Sequence, residues 1–347
     1  MNILVTGTDG YIGTLLTAVL TERGHDVTGL DTGFYKIGWL YDGVPRRPTH
    51  ICKDIRQVQG SDLAGFDAVV HLAELSNDPV GQLNPDLTFE INHLGTVRLA
   101  TLAQQAGVQR FVYFSSCSVY GATGDGSPST EESPTNPLTA YAQCKLLVER
   151  DLADMACDSF SPIFLRNATA YGPSPRMRFD LVVNNLAGLA WTSGRLVLES
   201  DGTPWRPFVH VLDICQAAAC ALEAPREVVH KQAMNVGDDE ENYQVRDIAR
   251  IVSEAFPDCE LVIGANPSDK RDYRVSFAKI RRLLPTFRCR YRVADGARQL
   301  REVFESVAMD NDTFDFRGYT RLKQIRYLLE TGQVDRDLFW QVPSGVR

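Results

Sequence analysis

The 347-residue chain lacks any run of about 18 apolar residues, so no membrane-spanning helix is expected. It opens on MNILVTG, without the charged segment and apolar core of a secretory leader. Its eight cysteines include no CxxC pair, and with the six histidines they form no cluster at zinc-ligand spacing. Neither a metal site nor a disulfide framework is expected, and free thiols fit a reducing, cytoplasmic setting. Basic residues are in the minority, 36 Lys and Arg against 44 Asp and Glu, for a net charge of −8. That balance argues against a nucleic acid or an anionic membrane as partner, since both need concentrated positive surface. An anionic ligand must then be held by local arginines and backbone N–H groups. Internal repeats and low-complexity segments are also missing.

Hydrophobic residues make up 44% of the chain, enough for a substantial core, and the length suggests about two domains. Asn2–Thr6 (NILVT) reads as a buried strand, GTDGYIG as a turn, and TLLTAVLTERG as a helix ending at Gly24. The next strand, His25–Leu30, has Asp31 at its end. Gly7, Gly10 and Gly13 on such a turn let backbone N–H groups approach a pyrophosphate at the positive end of the helix. A carboxylate about twenty residues beyond the glycines can accept hydrogen bonds from an adenosine ribose. Asp31 stands there and repels the extra phosphate of NADP, so the pattern predicts NAD.

Further units follow. Asp67–Leu72 and Arg110–Ser115 read as strands, and Ile91–Gly107 reads as a helix. Strands alternating with helices predict an α/β fold, a Rossmann doubly wound parallel sheet. Ligands bind such sheets at the carboxyl ends of the strands, where Asp31, Asp54, Ala73 and Ser116 fall. Beyond Thr139, the run AYAQCKLLVERDLADMA has helical spacing and places Tyr141 and Lys145 four residues apart on one face. Holding a phenol ionised near neutral pH needs a shift of about three pKa units, roughly 4 kcal/mol. One cation about 4 Å away supplies a few kcal/mol at a protein-like dielectric. Tyr141 is therefore expected to be a general base tuned by Lys145.

These motifs, in order, resemble the extended short-chain dehydrogenase/reductase family in its nucleotide-sugar epimerase and dehydratase branch. TGTDGYIG (with Tyr11 and Ile12) looks like that family's TGxxGxxG, and KDIRQ, with Asp54 and Ile55, like its adenine-contacting segment. HLAE, with Leu72 and Ala73, is similar to its HLAA, INHLGT, with Asn92, to its NxxGT, and YAQCK to its YxxxK. The resemblance spans residues 1 to about 285. It implies bound NAD, a catalytic set of Ser116, Tyr141 and Lys145, and a smaller mixed α/β C-terminal domain for a nucleotide-diphosphate sugar. It also implies a homodimer built on a four-helix bundle from residues 92–106 and 141–156.

Departures from the family pattern narrow the chemistry. The dehydratases carry an Asp-Glu pair after the catalytic hydroxyl residue, whereas this chain has Cys117 and Ser118. Ser118 suits a sugar contact, as in the epimerases. In RNATAYG, Asn167 replaces an aromatic and Thr169 replaces an asparagine of the family. NNL, through Asn185 and Leu186, resembles the diphosphate loop of UDP-galactose 4-epimerases, and Arg206 and Arg271 match its phosphate contacts. Arg176 and Arg178 read as a solvated basic turn, and His71 and His210 as satisfied strand residues. The expected NAD domain is 1–165, with 208–222 and about 233–236 returning to it; 166–207 and 237–347 form the substrate domain. The leading function is NAD-dependent C4 epimerisation of a nucleotide sugar. A 4-keto-sugar reductase using NAD(P)H is the alternative, ahead of a uronate decarboxylase and a non-catalytic NAD sensor.

Overall fold

The computed structural model describes residues 1–44, 48–122, 126–266 and 272–341. Seven strands form one sheet: β1 (Asn2–Thr6), β2 (Asp26–Asp31), β3 (Thr49–Cys52), β4 (Ala68–His71), β5 (Arg110–Ser116), β6 (Ser161–Asn167) and β10 (Ala233–Val236). Their order is β10-β6-β5-β4-β1-β2-β3, and every pairing is parallel. The chain builds outward from β1 through β2 to β3, then returns to lay β4 on the other side of β1. That reversal opens a crevice at the carboxyl ends of β1 and β4, where a doubly wound sheet binds ligands.

Parallel strands are covered on both faces, and successive side chains serve alternate faces. Val5, Val70, Val112 and Ile163 pack toward the helices Tyr11–Glu22 and Val211–Glu223 through Leu16, Leu20, Ile214 and Ala218. Leu4, Val69, Phe111 and Phe164 face the other way, onto Leu99, Val148 and Leu152 of the helices Thr96–Gln105 and Ala140–Asp154. The segment expected to be one helix from Ile91 divides into a wide π-helical stretch, Phe89–Gly95, and the α-helix Thr96–Gln105.

The second layer contains a three-stranded sheet of β7 (Thr169–Tyr171), β9 (Trp205–His210) and β11 (Asn242–Gln244), plus a parallel pair, β8 (Arg195–Ser200) and β12 (Glu260–Asn266). The helices Val182–Ser193, Val245–Ala255 and Val293–Ser306 enclose its core through Val183, Ala187, Ile248, Val252, Leu300 and Phe304. Two segments depart from the sequence reading. Residues 208–210 belong to β9 in the small sheet, and only the helix after them returns to the large one. The last helix, Arg321–Glu330, and the tail behind it join the large sheet instead of the substrate layer. There Ile325, Leu328, Val334 and Leu338 pack with Leu4, Leu30 and Val69.

No helix among the described residues is long and apolar enough to cross a membrane. All eight cysteines are free.

Candidate active site

The loop from β1 into the first helix is shaped by glycine. Gly7 has φ +80°, and a β-carbon there would lie 2.9 Å from the Ala73 nitrogen. A β-carbon on Gly13 would lie 2.1 Å from the Gly7 carbonyl oxygen. Only bare backbone fits, and it leaves an open crevice at the carboxyl ends of β1 and β4. Gly7, Gly10, Tyr11, Ile12, Gly13, Asp31, Asp54, Ile55, Leu72 and Ala73 all line it. Asp31 accepts from the Asp9 N–H at 3.0 Å and the Gly33 N–H at 2.8 Å, which aims its carboxylate at the end of β2. Burial, then the nearby Asp9, pushes its carboxyl above the usual range. Asp54 is held by Arg56, whose Nε and Nη2 donate to it at 3.0 and 2.8 Å. Asn92 is not a lining residue. Its amide brackets the Leu75 backbone, accepting from the N–H at 2.8 Å and donating to the carbonyl at 3.1 Å. It fixes the loop that carries Ala73 and Glu74.

The helix Ala140–Asp154 starts at Thr139, whose hydroxyl accepts from the Ala142 N–H at 3.2 Å. Tyr141, Lys145 and Glu149 follow one another at four-residue spacing on its inner face, where an ordinary helix would be apolar. Each of the last two is tied to the large sheet. The Lys145 ammonium donates to the Phe114 carbonyl at 2.5 Å. Glu149 accepts from the Ser115 hydroxyl and from Arg166 of β6 through Nε at 3.0 Å and Nη2 at 2.7 Å. These buried clamps fix the helix that carries Tyr141 against β5 and β6. Ser116, at that end, accepts from the Ser118 N–H at 3.1 Å and starts the short turn Cys117–Tyr120.

The tuning of Tyr141 differs from the expectation. Lys145 Nζ lies 5.3 Å from the centre of the Tyr141 ring, but its charge is matched by Glu74, with Oε2 at 2.5 Å. Both side chains are almost fully buried, Lys145 at 5% exposure and Glu74 at 2%. Tyr113 donates its hydroxyl to the other Glu74 oxygen at 2.7 Å. Burial pushes the Tyr141 phenol up, Lys145 pulls it down, and Glu74 and Asp78 push it up again, so the net displacement is upward. Burial alone would discharge Lys145, and contact with Glu74 instead holds it protonated. Glu74 is itself pushed up by burial against the pull of Lys145 and Tyr113. A phenol in this setting stays neutral until further positive charge arrives. The signal for this partner in the sequence is the fourth letter of HLAE, the carboxylate Glu74.

The expected substrate contacts divide. Ser118 Oγ and Asn167 Oδ1 are buried atoms without a hydrogen-bond partner among the described residues, and Thr169 is half-buried on β7. Asn167 spends its amide N–H groups on the Ser115 and Leu165 carbonyls. Asn185 donates to the Phe179 carbonyl at 2.9 Å. Leu186 sits in the second layer's core, within a helix that begins at Val182, so its side chain does not reach a ligand. Asn184 does the holding here, accepting from Gly172 N–H at 2.9 Å and donating to the Arg178 carbonyl at 3.1 Å. Arg206 is buried beneath the Tyr273 ring, 5.5 Å from its centre. Arg271 lies outside the described residues.

Arg176 and Arg178 are buried, contrary to the solvated turn expected. Arg176 donates to the Tyr35 and Gly38 carbonyls at 3.2 and 2.8 Å, holding the loop after β2. Arg178 lines the crevice and forks onto Asp180 at 2.9 and 3.1 Å. Arg321, from the last helix, lines it too. His71 and His210 are satisfied as expected, by Thr6 and Thr96 and by Gln299.

The model of the NAD dependent epimerase/dehydratase family matches residues 3–237. The chain belongs to that family. A UDP-glucose 4-epimerase of Corynebacterium glutamicum is 30% identical over 269 residues, covering 73% of this chain and 80% of that one. Among solved structures, the NAD-dependent NDP-hexosamine 5,6-dehydratase TunA is 25% identical with a TM-score of 0.77, over 88% of this chain and 98% of that chain. MoeE5, solved with UDP-glucose and NAD, is 26% identical with a TM-score of 0.76, over 89% and 100%.

The cofactor is NAD, and the crevice fits it. The glycine turn leaves a cradle that a single β-carbon would fill, the N-terminus of the first helix faces it, and the Asp31 carboxylate lines it at the end of β2.

Proposed function

We propose that this enzyme is an NAD-dependent nucleotide-sugar 4-epimerase. The observation that carries the proposal is that Cys117 and Ser118, rather than a pair of carboxylic acids, follow Ser116 in a chain that carries Tyr141 and Lys145 four residues apart on one helix. Cys117 donates its thiol to the Arg166 carbonyl at 3.1 Å, and burial pushes that thiol up, so it is not a general acid at neutral pH. The likeness to UDP-glucose 4-epimerase supports the same reading.

In this mechanism Tyr141 takes the proton from the sugar 4-hydroxyl, and Ser116 donates a hydrogen bond to the same oxygen. NAD+, held at the glycine turn and Asp31, would supply the reversible hydride acceptor that inversion at C4 needs. Lys145 and Glu74 hold the charge balance of the site, so Tyr141 loses its proton only when a further positive charge is present. In this reading Ser118, Asn167 and Thr169 contact the sugar, and Asn185, Leu186 through its backbone, Arg206 and Arg271 contact the diphosphate. The functional unit of this reading is a homodimer, whose interface would cover Leu94, 59% exposed just before the helix Thr96–Gln105. Light scattering after size exclusion tests that part.

Elimination of water is a second reading, favoured by TunA and by Glu74, a buried carboxyl in the crevice pushed above its usual range. A 4-keto-sugar reductase would differ by consuming NAD(P)H steadily. The test is to incubate the purified protein with nucleotide hexoses and uronates, adding no reductant, and to resolve products by NMR. The epimerase reading requires the C4 epimer; an unsaturated or 4-keto product in its place refutes it.

A further inference from the structure

Arg321 lies outside the residues matched by the family, in the segment whose sequence suggested no role. It opens the last helix, is 3% exposed, and lies with its guanidinium 3.9 Å from the centre of the Tyr35 ring. Its guanidinium makes no hydrogen bond or ion pair with any described residue. Its neighbour Arg178 is matched by Asp180, and that carboxylate is committed further, accepting from Asn77 Nδ2 at 2.7 Å and from the Arg321 backbone N–H at 3.4 Å. Asp180 and Asp31 are near enough to favour this buried cation, but neither is in contact with its guanidinium, an arrangement that costs free energy unless a ligand completes it. The position of the charge says which ligand. Arg321 Nη2 is 4.0 Å from where a β-carbon of Gly10 would stand, and Gly10 caps the first helix, whose free N–H groups and dipole favour an anion at that point.

We propose that Arg321 grips the pyrophosphate of NAD, so that the C-terminal segment is a strap completing the cofactor site. The rest of the segment is latched to the two loops that contact the adenosine half. Trp340 Nε1 donates to the Thr32 carbonyl at 2.7 Å, beside Asp31. Arg56, which holds Asp54, donates to the Asp337 carbonyl at 2.8 Å and lies 3.8 Å from the centre of the Phe339 ring. Burial and the adjacent Arg178 bring the Arg321 pKa down to about 10, which leaves it charged at neutral pH. Guanidinium suits this task because its fork can meet two phosphate oxygens at once.

The test uses the full chain stripped of cofactor, as wild type, Arg321→Gln and Arg321→Lys. Calorimetric titration with NAD+, ADP-ribose, adenosine and UDP separates the sources of phosphate. Arg321→Gln should weaken NAD+ and ADP-ribose at least tenfold while leaving adenosine and UDP within twofold, and Arg321→Lys should recover part of the loss. Because no carboxylate contacts the wild-type guanidinium, the stripped Gln variant should melt no lower than wild type, yet gain less from saturating NAD+. Equal losses for NAD+ and adenosine, a loss for UDP alone, or unchanged NAD+ binding would each overturn the proposal.

Discussion

Replacing Glu74 by glutamine removes one negative charge from the catalytic cluster and keeps the side chain's size. Lys145 Nζ is 5.3 Å from the centre of the Tyr141 ring and 2.5 Å from the Glu74 carboxylate, which places that carboxylate within about 8 Å of the ring. A unit charge at about 8 Å, in an effective dielectric of about 20, is worth about 2 kcal/mol. Losing it favours phenolate and lowers the Tyr141 pKa by about 1.5. Tyr141 must be unprotonated to act as a base, so activity rises with pH through its pKa. The acidic limb of the kcat/KM profile should therefore move to lower pH by about 1.5 in Glu74→Gln. The same variant strands a buried ammonium and should lose about 3–5 kcal/mol of stability, read by urea unfolding. Lys145→Met supplies the opposite sign, moving the limb to higher pH. A Glu74→Gln limb that stays in place or moves to higher pH refutes the electrostatic account, and abolished turnover with an intact fold favours elimination with Glu74 as the acid.

Three other perturbations follow from the same geometry. Glu149→Gln breaks the buried fork with Arg166, in which both side chains are 7% exposed, so it should cost about 3–5 kcal/mol in urea and lower kcat by slackening the register of Tyr141. Asp31→Asn removes the charge that opposes a 2′-phosphate and should narrow the NAD-over-NADP preference about tenfold or more, near 1.4 kcal/mol, in fluorescence titrations. His71 is buried between Thr6 and Thr96, and burial brings its pKa down to about 3. Below pH about 6.5 the unfolded chain binds this proton and the folded chain does not, so stability falls as pH falls. The loss from this group should reach about 2 kcal/mol by pH 5, and a His71→Asn variant should show a correspondingly flatter dependence of its urea midpoint on pH.

The parallel sheet was legible because its strands are short apolar runs between glycine turns and helical spacing, a pattern set locally. The glycine loop was equally legible, since bare backbone at Gly7 and Gly13 is a local requirement that only one residue type meets. Tyr141 and Lys145 could be paired from their spacing on one helix turn. What the sequence did not show was the partner of each charge. Glu74 and Lys145 are 2.5 Å apart in space but belong to different elements, and no periodicity connects them. Arg178 read as a solvated turn because its burial, unlike its match with Asp180 two residues on, arises only on packing. Apolar spacing in a helix says that a face is buried, not against which sheet, and so the last helix could not be assigned to the large sheet. The segment that resembles a diphosphate loop falls here inside the helix Val182–Ser193, with the Leu186 side chain in the core, an outcome set by packing that the motif alone does not carry.

The central claim is that hydride leaves C4 and returns to C4 on the other face, with Tyr141 handling the hydroxyl proton. A nucleotide sugar carrying deuterium at C4, incubated with the purified enzyme and no added reductant, tests it directly by NMR. The account predicts the C4 epimer with the deuterium retained at C4, and no such product from Tyr141→Phe. Deuterium lost to solvent or found at C6, or an unsaturated sugar as the product, would contradict it.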